Sequence, residues 1–168
     1  MSMNEQIAIA VAESPDEIEQ ARELFSEYAE WLGFSLCFQG FDEELATLPG
    51  KYASPAGRLL LARCAGELAG CGALRPLEPG ICEMKRLYVR PQFRGRRLGV
   101  MLAERLIADA KAIGYEFMRL DTLPKKMTDA NRMYRAMGFY DIPAYYNNPQ
   151  PDVCYLELRL REGDGPVR

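Results

Sequence analysis

The stretch of this 168-residue sequence best suited to chemistry is Leu87-Tyr88-Val89-Arg90-Pro91-Gln92-Phe93-Arg94-Gly95-Arg96-Arg97-Leu98-Gly99. It reads as a strand running through a basic, glycine-containing turn into a helix. Backbone N–H groups in the first turn of a helix have no intrahelical acceptor and carry the positive end of the helix dipole, so a pyrophosphate fits there without base-specific contacts. Gly95 and Gly99 allow close approach of the backbone, and the arginines can add charge-assisted hydrogen bonds. No Gly-Lys-Ser/Thr follows, which excludes a P-loop, and no G-x-G-x-x-G is present, which excludes a dinucleotide fingerprint. The same spacing also fits a solvated basic turn.

Charge patterning favours an anion. The net charge is −3, from 21 Lys and Arg against 24 Asp and Glu. Residues 85–97 nevertheless hold six bases (Lys85, Arg86, Arg90, Arg94, Arg96, Arg97) and no acid, whereas residues 1–50 hold eleven acids and one base, Arg22. A mildly acidic chain with one short basic stretch lacks the broad basic face that nucleic acid needs, so no nucleic-acid partner is expected. Histidine is absent, which removes His-dependent triads and most zinc sites, and no metal is expected. Five cysteines (Cys37, Cys64, Cys71, Cys82, Cys154) form no C-x-x-C pair and fall mostly in apolar runs, so they read as buried thiols of a reducing compartment. The early apolar run Ile7 to Ala12 has no basic flank and is too short for a signal peptide or a membrane span. A cytoplasmic protein with no membrane partner is expected.

The elements that must position the basic turn follow from periodicity and punctuation. No repeat or linker divides the chain, so residues 1–168 read as one domain with its core over about 7–160 and a frayed tail over 161–168. Ile7 to Val11 reads as a strand. Ser14, Pro15 and Glu17 form a helix start with a capping box, and Ile18, Ala21, Leu24, Phe25, Tyr28, Trp31 and Leu32 make its apolar face up to a stop at Gly33. The other glutamates of this helix are expected to face water. A shorter helix spans Asp42 to Leu48. Strands at Arg58–Arg63 and Glu67–Leu74 flank the hairpin turn Cys64-Ala65-Gly66, and Ile81–Val89 is the next strand. Leu98 to Ile113 is an amphipathic helix closed by Gly114, and Phe117–Asp121 is a strand. Thr128 is expected to cap a helix whose inner face is Ala130, Met133, Tyr134 and Met137, with Gly138 as its stop. Strands Phe139–Ile142 and Val153–Leu160 complete an α/β sandwich around one mixed sheet.

Gln92-Phe93-Arg94-Gly95-Arg96-Arg97 resembles the Gln/Arg-x-x-Gly-x-Gly/Ala signature of the GNAT superfamily of acyl-CoA-dependent N-acyltransferases, with Arg97 where the family usually has a small residue. Leu87-Tyr88-Val89-x-Pro91 resembles that family's pantetheine-binding strand, and Asn131-x-x-Tyr134-x-x-x-Gly138-Phe139 its second signature. In element order the resemblance covers about Ile7 to Leu160. It implies a mixed, mostly antiparallel sheet with helices on both faces, splayed between its fourth and fifth strands. Acetyl-CoA would lie in that opening as co-substrate, its pantetheine arm along Leu87, Tyr88 and Val89 as an added strand. Its pyrophosphate would lie on the turn of Arg94, Gly95, Arg96, Arg97, Leu98 and Gly99, with Asn131 contacting the arm. The amine would attack the thioester directly, without a covalent acyl-enzyme.

The resemblance further implies two catalytic roles. An alkylamine with a lysine-like pKa of ~10.4 must lose a proton before attack. Glu83 matches the position where some members carry a glutamate base, although a surface glutamate paired with Lys85 or a neighbouring strand, or a water chain as base, also fits. Tyr134 matches the tyrosine that protonates the leaving thiolate, while its helical position equally suits the core. The acceptor pocket is expected between Trp31, Phe34 and Phe38 on one side and Tyr145 and Tyr146 on the other, with Lys85, Arg86 or Arg75 holding a substrate carboxylate. A small amino-acid-like amine is the expected acceptor. A basic peptide on an acidic groove, a CoA-binding module without turnover, and a homodimer remain open.

Overall fold

A computed structural model describes residues 6–161 of the chain. The elements run β1 (Ile7–Val11), α1 (Pro15–Leu32), α2 (Phe41–Thr47), β2 (Arg58–Cys64), β3 (Glu67–Glu78), β4 (Ile81–Val89), α3 (Leu98–Ile113), β5 (Phe117–Thr122), α4 (Thr128–Ala136), β6 (Tyr140–Ile142) and β7 (Cys154–Arg159). This is the order expected from the sequence. Short 3-10 turns at Cys37–Gln39, Gly50–Tyr52 and Pro91–Phe93 lie between them. The expected frayed tail falls, beyond Arg161, outside the described residues.

Local chemistry accounts for several boundaries. The Glu17 amide donates to Ser14 Oγ at 3.1 Å and Glu17 Oε1 accepts from the Ser14 amide at 3.0 Å, the reciprocal pairing of a capping box. The β2–β3 hairpin turns on Ala65 and Gly66, both at positive φ, which the right-handed twist of the flanking strands favours. Thr128 departs from expectation. It is the first residue of α4 rather than its cap: Met127 holds the cap position without a side-chain bond, and the Thr128 hydroxyl donates back to the Pro124 carbonyl at 2.9 Å.

The seven strands form one sheet in the order β1-β2-β3-β4-β5-β7-β6, antiparallel except for β4 and β5. The parallel ladder is short, pairing Ile81, Cys82 and Glu83 with Phe117, Met118 and Arg119 and then stopping. The sheet separates two apolar clusters. One packs α3 and α4 through Leu102, Leu106 and Tyr134 onto Met84, Met118 and Leu120. The other packs α1 and α2 through Leu24, Phe25 and Phe41 onto Leu59, Leu61 and Tyr88. Cys64, Cys71 and Cys82 are buried in these layers as expected, but Cys37 is exposed, because it opens a surface 3-10 turn.

Opposite β4, strand β3 approaches so closely that two of its positions must lack side chains. A Cβ on Gly70 would sit 2.6 Å from the Tyr88 carbonyl oxygen, and one on Gly72 would sit 3.1 Å from Leu106 Cδ1 and 3.3 Å from Leu87 Cδ1. Gly72 lies opposite a bulge, since Cys71 pairs with Tyr88 and Ala73 with Lys85, leaving Arg86 and Leu87 to face a single residue. Arg86 takes φ +63° there. Gly70→Ala is therefore expected to cost about 1–3 kcal/mol, the usual range for overpacking. Urea denaturation of the variant checks this, and an unchanged midpoint would mean that β3 and β4 can move apart freely.

Candidate active site

Beyond Glu83, β4 has no neighbouring strand on its β5 side, and a cavity of about 550 Å³ opens where the two strands part. Leu87, Tyr88 and Val89 line it, and the Val89 carbonyl accepts from Arg94 Nε at 3.0 Å. At one end lie Arg94, Gly95, Arg97, Leu98 and Gly99, the turn into α3. A Cβ added at Gly95 or Gly99 would meet nothing within 4 Å, so both glycines border open space rather than protein. The Met101 amide, bonded to the Arg97 carbonyl at 3.0 Å, is the first to enter the ladder of α3, which leaves the preceding N–H groups for an anion. Arg97 caps this helix at φ +65°, a conformation in which a residue with a Cβ costs roughly 1–2 kcal/mol.

The six bases of residues 85–97 divide into distinct roles. Arg90 is held by Glu23 at 2.5 Å and Glu27 at 2.7 Å; Glu23 stays exposed as expected, while Glu27 is half-buried against the sheet. Arg86 is buried and donates through Nε and Nη2 to the Glu44 carboxylate, each at 2.8 Å. Burial opposes its charge, but the Glu44 bonds outweigh that and raise its pKa. Arg96 leans over Phe93 and does not line the cavity. Arg94 stays at the cavity, its guanidinium 5.6 Å from the Trp31 ring centre, and Lys126 reaches the same ring at 4.9 Å. Trp31 thus belongs with the cations at the anion end as much as with the acceptor wall. Lys126 escaped the sequence reading, because its place beside Trp31 is a long-range contact.

Tyr134 lines the middle of the cavity from α4, its ring 5.6 Å edge-on from Phe139. Its hydroxyl makes no hydrogen bond among the described residues, and burial pushes its pKa up, so the proton stays on at neutral pH. The residue belongs to the apolar core and also lines the cavity. Asn131, one turn earlier, is not part of the lining. Its Oδ1 is nevertheless buried with no donor, an orphaned acceptor beside the cavity wall.

Glu83 is differently placed from the expected base. It is 1% exposed and does not line the cavity. Its Oε1 accepts from Arg75, its cross-strand partner on β3, at 2.8 and 2.9 Å, and its Oε2 accepts from the Tyr145 hydroxyl at 2.6 Å. Arg75 and Tyr145 are thereby committed to Glu83 rather than to a substrate. Phe34 is in the lining, while the Phe38 side chain lies outside the described residues.

The far end of the cavity joins Lys85 and Tyr146, both expected at the acceptor pocket, to Gln39, Asp121 and Asn148, which the sequence did not single out. Lys85 Nζ donates to Gln39 Oε1 at 3.0 Å, and Gln39 Nε2 donates to the Tyr146 hydroxyl at 2.8 Å. That hydroxyl donates to Asp121 Oδ2, which also accepts from Asn148 Nδ2 at 2.8 Å. Gln39, Lys85, Asp121 and Asn148 all line the cavity. Burial first, and then neighbouring Arg86, hold the Lys85 amine down to about 8. Among the described residues no cluster of His, Cys, Asp or Glu suits a metal ion. No helix there is long and apolar enough to cross a membrane.

An opening lined by a strand edge, a helix N-terminus with two glycines and three cations, and a phenol suits an extended ligand carrying phosphates. Residues 18–139 match the Acetyltransferase (GNAT) family. An uncharacterised N-acetyltransferase of Schizosaccharomyces pombe is 42% identical over 92% of this chain and 95% of its own length. Among solved structures, an acetyltransferase of the GNAT family from Staphylococcus aureus Mu50 superposes with a TM-score of 0.75 at 20% identity, covering 93% of this chain and all of that one. The yncA protein of Salmonella typhimurium, solved with its cofactor acetyl-CoA, gives 0.69 at 19% identity over 96% and 98%.

The glycine-lined turn makes a direct test. Gly95→Asp places a carboxylate in the open space and is expected to abolish the rise in melting temperature that millimolar acetyl-CoA gives the unmutated protein. Gly95→Asn imposes the same positive φ without the charge and is expected to keep part of the shift. Melting curves with and without the ligand check both, and an undiminished shift in the Asp variant would place the phosphates elsewhere.

Proposed function

The chain belongs to the GNAT family and is an acetyl-CoA-dependent N-acetyltransferase; we propose that it acetylates the primary amine of a small, amino-acid-like metabolite. The observation that carries this reading is the Gln39–Tyr146 hydrogen bond at 2.8 Å. It ties the segment after α1 to the loop between β6 and β7 across the acceptor end, where a polypeptide would need an open groove. Several acids of the first 50 residues are already engaged. Glu23 and Glu27 neutralise Arg90, Glu44 neutralises Arg86, and Glu17 caps its own helix.

Acetyl-CoA, when bound, supplies an acetyl thioester that an unprotonated amine can attack to give an amide and a free thiol. The residues present suit it: the edge of Leu87–Val89 for the arm, and the Gly95–Gly99 turn with Arg94, Arg97 and Lys126 for the phosphates. In this scheme Tyr134 holds a proton at its hydroxyl for the leaving sulfur and regains one from solvent. Glu83, with both oxygens occupied, positions Tyr145 and Arg75. The ammonium proton of the acceptor leaves to solvent in the cavity.

A screen of acetyl-CoA turnover across amino acids, polyamines, aminoglycosides and basic peptides, read as released thiol, tests the acceptor class. Free amino acids or small amines are expected to lead, and faster turnover of basic peptides would overturn the reading. Tyr134→Phe keeps the ring and removes the hydroxyl, so kcat is expected to fall roughly ten- to a thousand-fold while the acetyl-CoA melting shift persists. An unchanged kcat would reduce Tyr134 to a packing role. Glu83→Gln is expected to lower stability but leave the shape of the kcat/KM against pH profile intact. Loss of the fall at low pH in that variant would instead make Glu83 the base.

A further inference from the structure

We propose that Lys85 and Asp121 are a zwitterion-binding pair that recognises the acceptor as a free amino acid, Asp121 taking the ammonium group and Lys85 the carboxylate. The inference rests on the small-metabolite reading above and adds the two groups that would select within that class.

The β4–β5 ladder ends with Glu83 opposite Arg119. Side chains alternate along a strand, so two residues further on, and on the same face, come Lys85 and Asp121. Had the ladder continued they would be cross-strand neighbours and would close into an ion pair. The strands part instead, and both side chains line the cavity without pairing with each other or with any other charge among the described residues. Two opposite charges held apart in a partly apolar cleft are best satisfied by a ligand that carries both signs on adjacent atoms.

Each group is oriented and still has capacity. Lys85 Nζ gives one proton to Gln39 Oε1 and has two more to donate. Both donors on Asp121, Tyr146 and Asn148, reach Oδ2, which leaves Oδ1 without a donor among the described residues. Because Gln39 also donates to Tyr146, one continuous network runs from Lys85 to Asp121 and fixes the spacing of the two charges. The neighbouring cations cannot substitute, since Arg86 is engaged by Glu44 and Arg75 by Glu83. Lys85 is the unneutralised charge, and burial already works against it. An incoming carboxylate supplies the missing counter-charge, which a simple amine, a lysine side chain or a carboxamide does not bring.

Steady-state turnover of the full-length protein with acetyl-CoA tests this on matched acceptors: the common amino acids, their carboxamides and the corresponding decarboxylated amines. At least one amino acid is expected to exceed its carboxamide about tenfold or more in kcat/KM, as loss of a charge-assisted contact implies. Lys85→Met is expected to erase that ratio by raising KM for the acid alone. Asp121→Asn is expected to raise KM for acid and carboxamide alike. As a readout without turnover, the same amino acid should raise the melting temperature of the CoA-bound protein and should fail to do so in Lys85→Met. Melts without ligand establish that each variant folds, and Lys85→Gln replaces the Met variant if it does not. Carboxamides or simple amines that match the acids overturn this proposal and leave the small-metabolite reading standing. Turnover of basic peptides, with none of free amino acids, overturns both.

Discussion

Three rungs of parallel ladder join β4 to β5, and beyond Glu83 and Arg119 two strand edges run on with nothing between them. Unpaired backbone in the middle of a sheet is normally unfavourable, because each N–H and C=O buried without a partner costs on the order of 1–3 kcal/mol. Here the edges face a cavity instead of a core, and the Val89 carbonyl is served from within by Arg94 Nε. The bulge at Arg86 redirects β4 after Lys85. Its left-handed backbone would be strained alone, but Arg86 is fixed by two hydrogen bonds to Glu44 and by the rings of Tyr28 at 5.9 Å and Phe41 at 5.1 Å. Gly72 on β3 makes room for the bulge.

The bulge also determines what the basic segment does. Lys85 and Arg86 are consecutive, yet both serve the side of the sheet covered by α1 and α2, one bonding Gln39 and the other Glu44. A regular strand would have sent them to opposite faces. Of six bases that look like one anion-binding patch in the sequence, two are spent on structural ion pairs, and Lys85 is left at the far end of the cavity from Arg94 and Arg97. The positive charge near the α3 N-terminus is instead completed by Lys126, from the segment preceding α4.

Much of this was legible in the residues because it is local. Ser14-Pro15-x-Glu17, the Ala65-Gly66 turn and the Gly33 and Gly114 stops each act within one turn of chain, and all formed as read. The glycine-containing turn into α3 was likewise visible, since a strand, a tight turn and a helix start are contiguous. The acceptor end was legible only in part: Lys85 and Tyr146 were expected there, whereas Gln39, Asp121 and Asn148 come from distant positions and join them only when the sheet has formed. Glu83 shows the same limit. Its spacing on β4 was right for a base, but its partners are set by register with Arg75 and by a loop more than sixty residues away. Thr128 departed on a smaller scale: Met127 holds the cap position, and the Thr128 hydroxyl bonds the carbonyl behind it.

Two halves of a sheet connected by three rungs share little backbone at the joint. A ligand arm laid along Leu87–Val89 would add rungs of its own to that connection. An acceptor that touches both β4 and β5 would then meet strands already tied by the cofactor, and the free energy of holding them together would be shared between the two ligands.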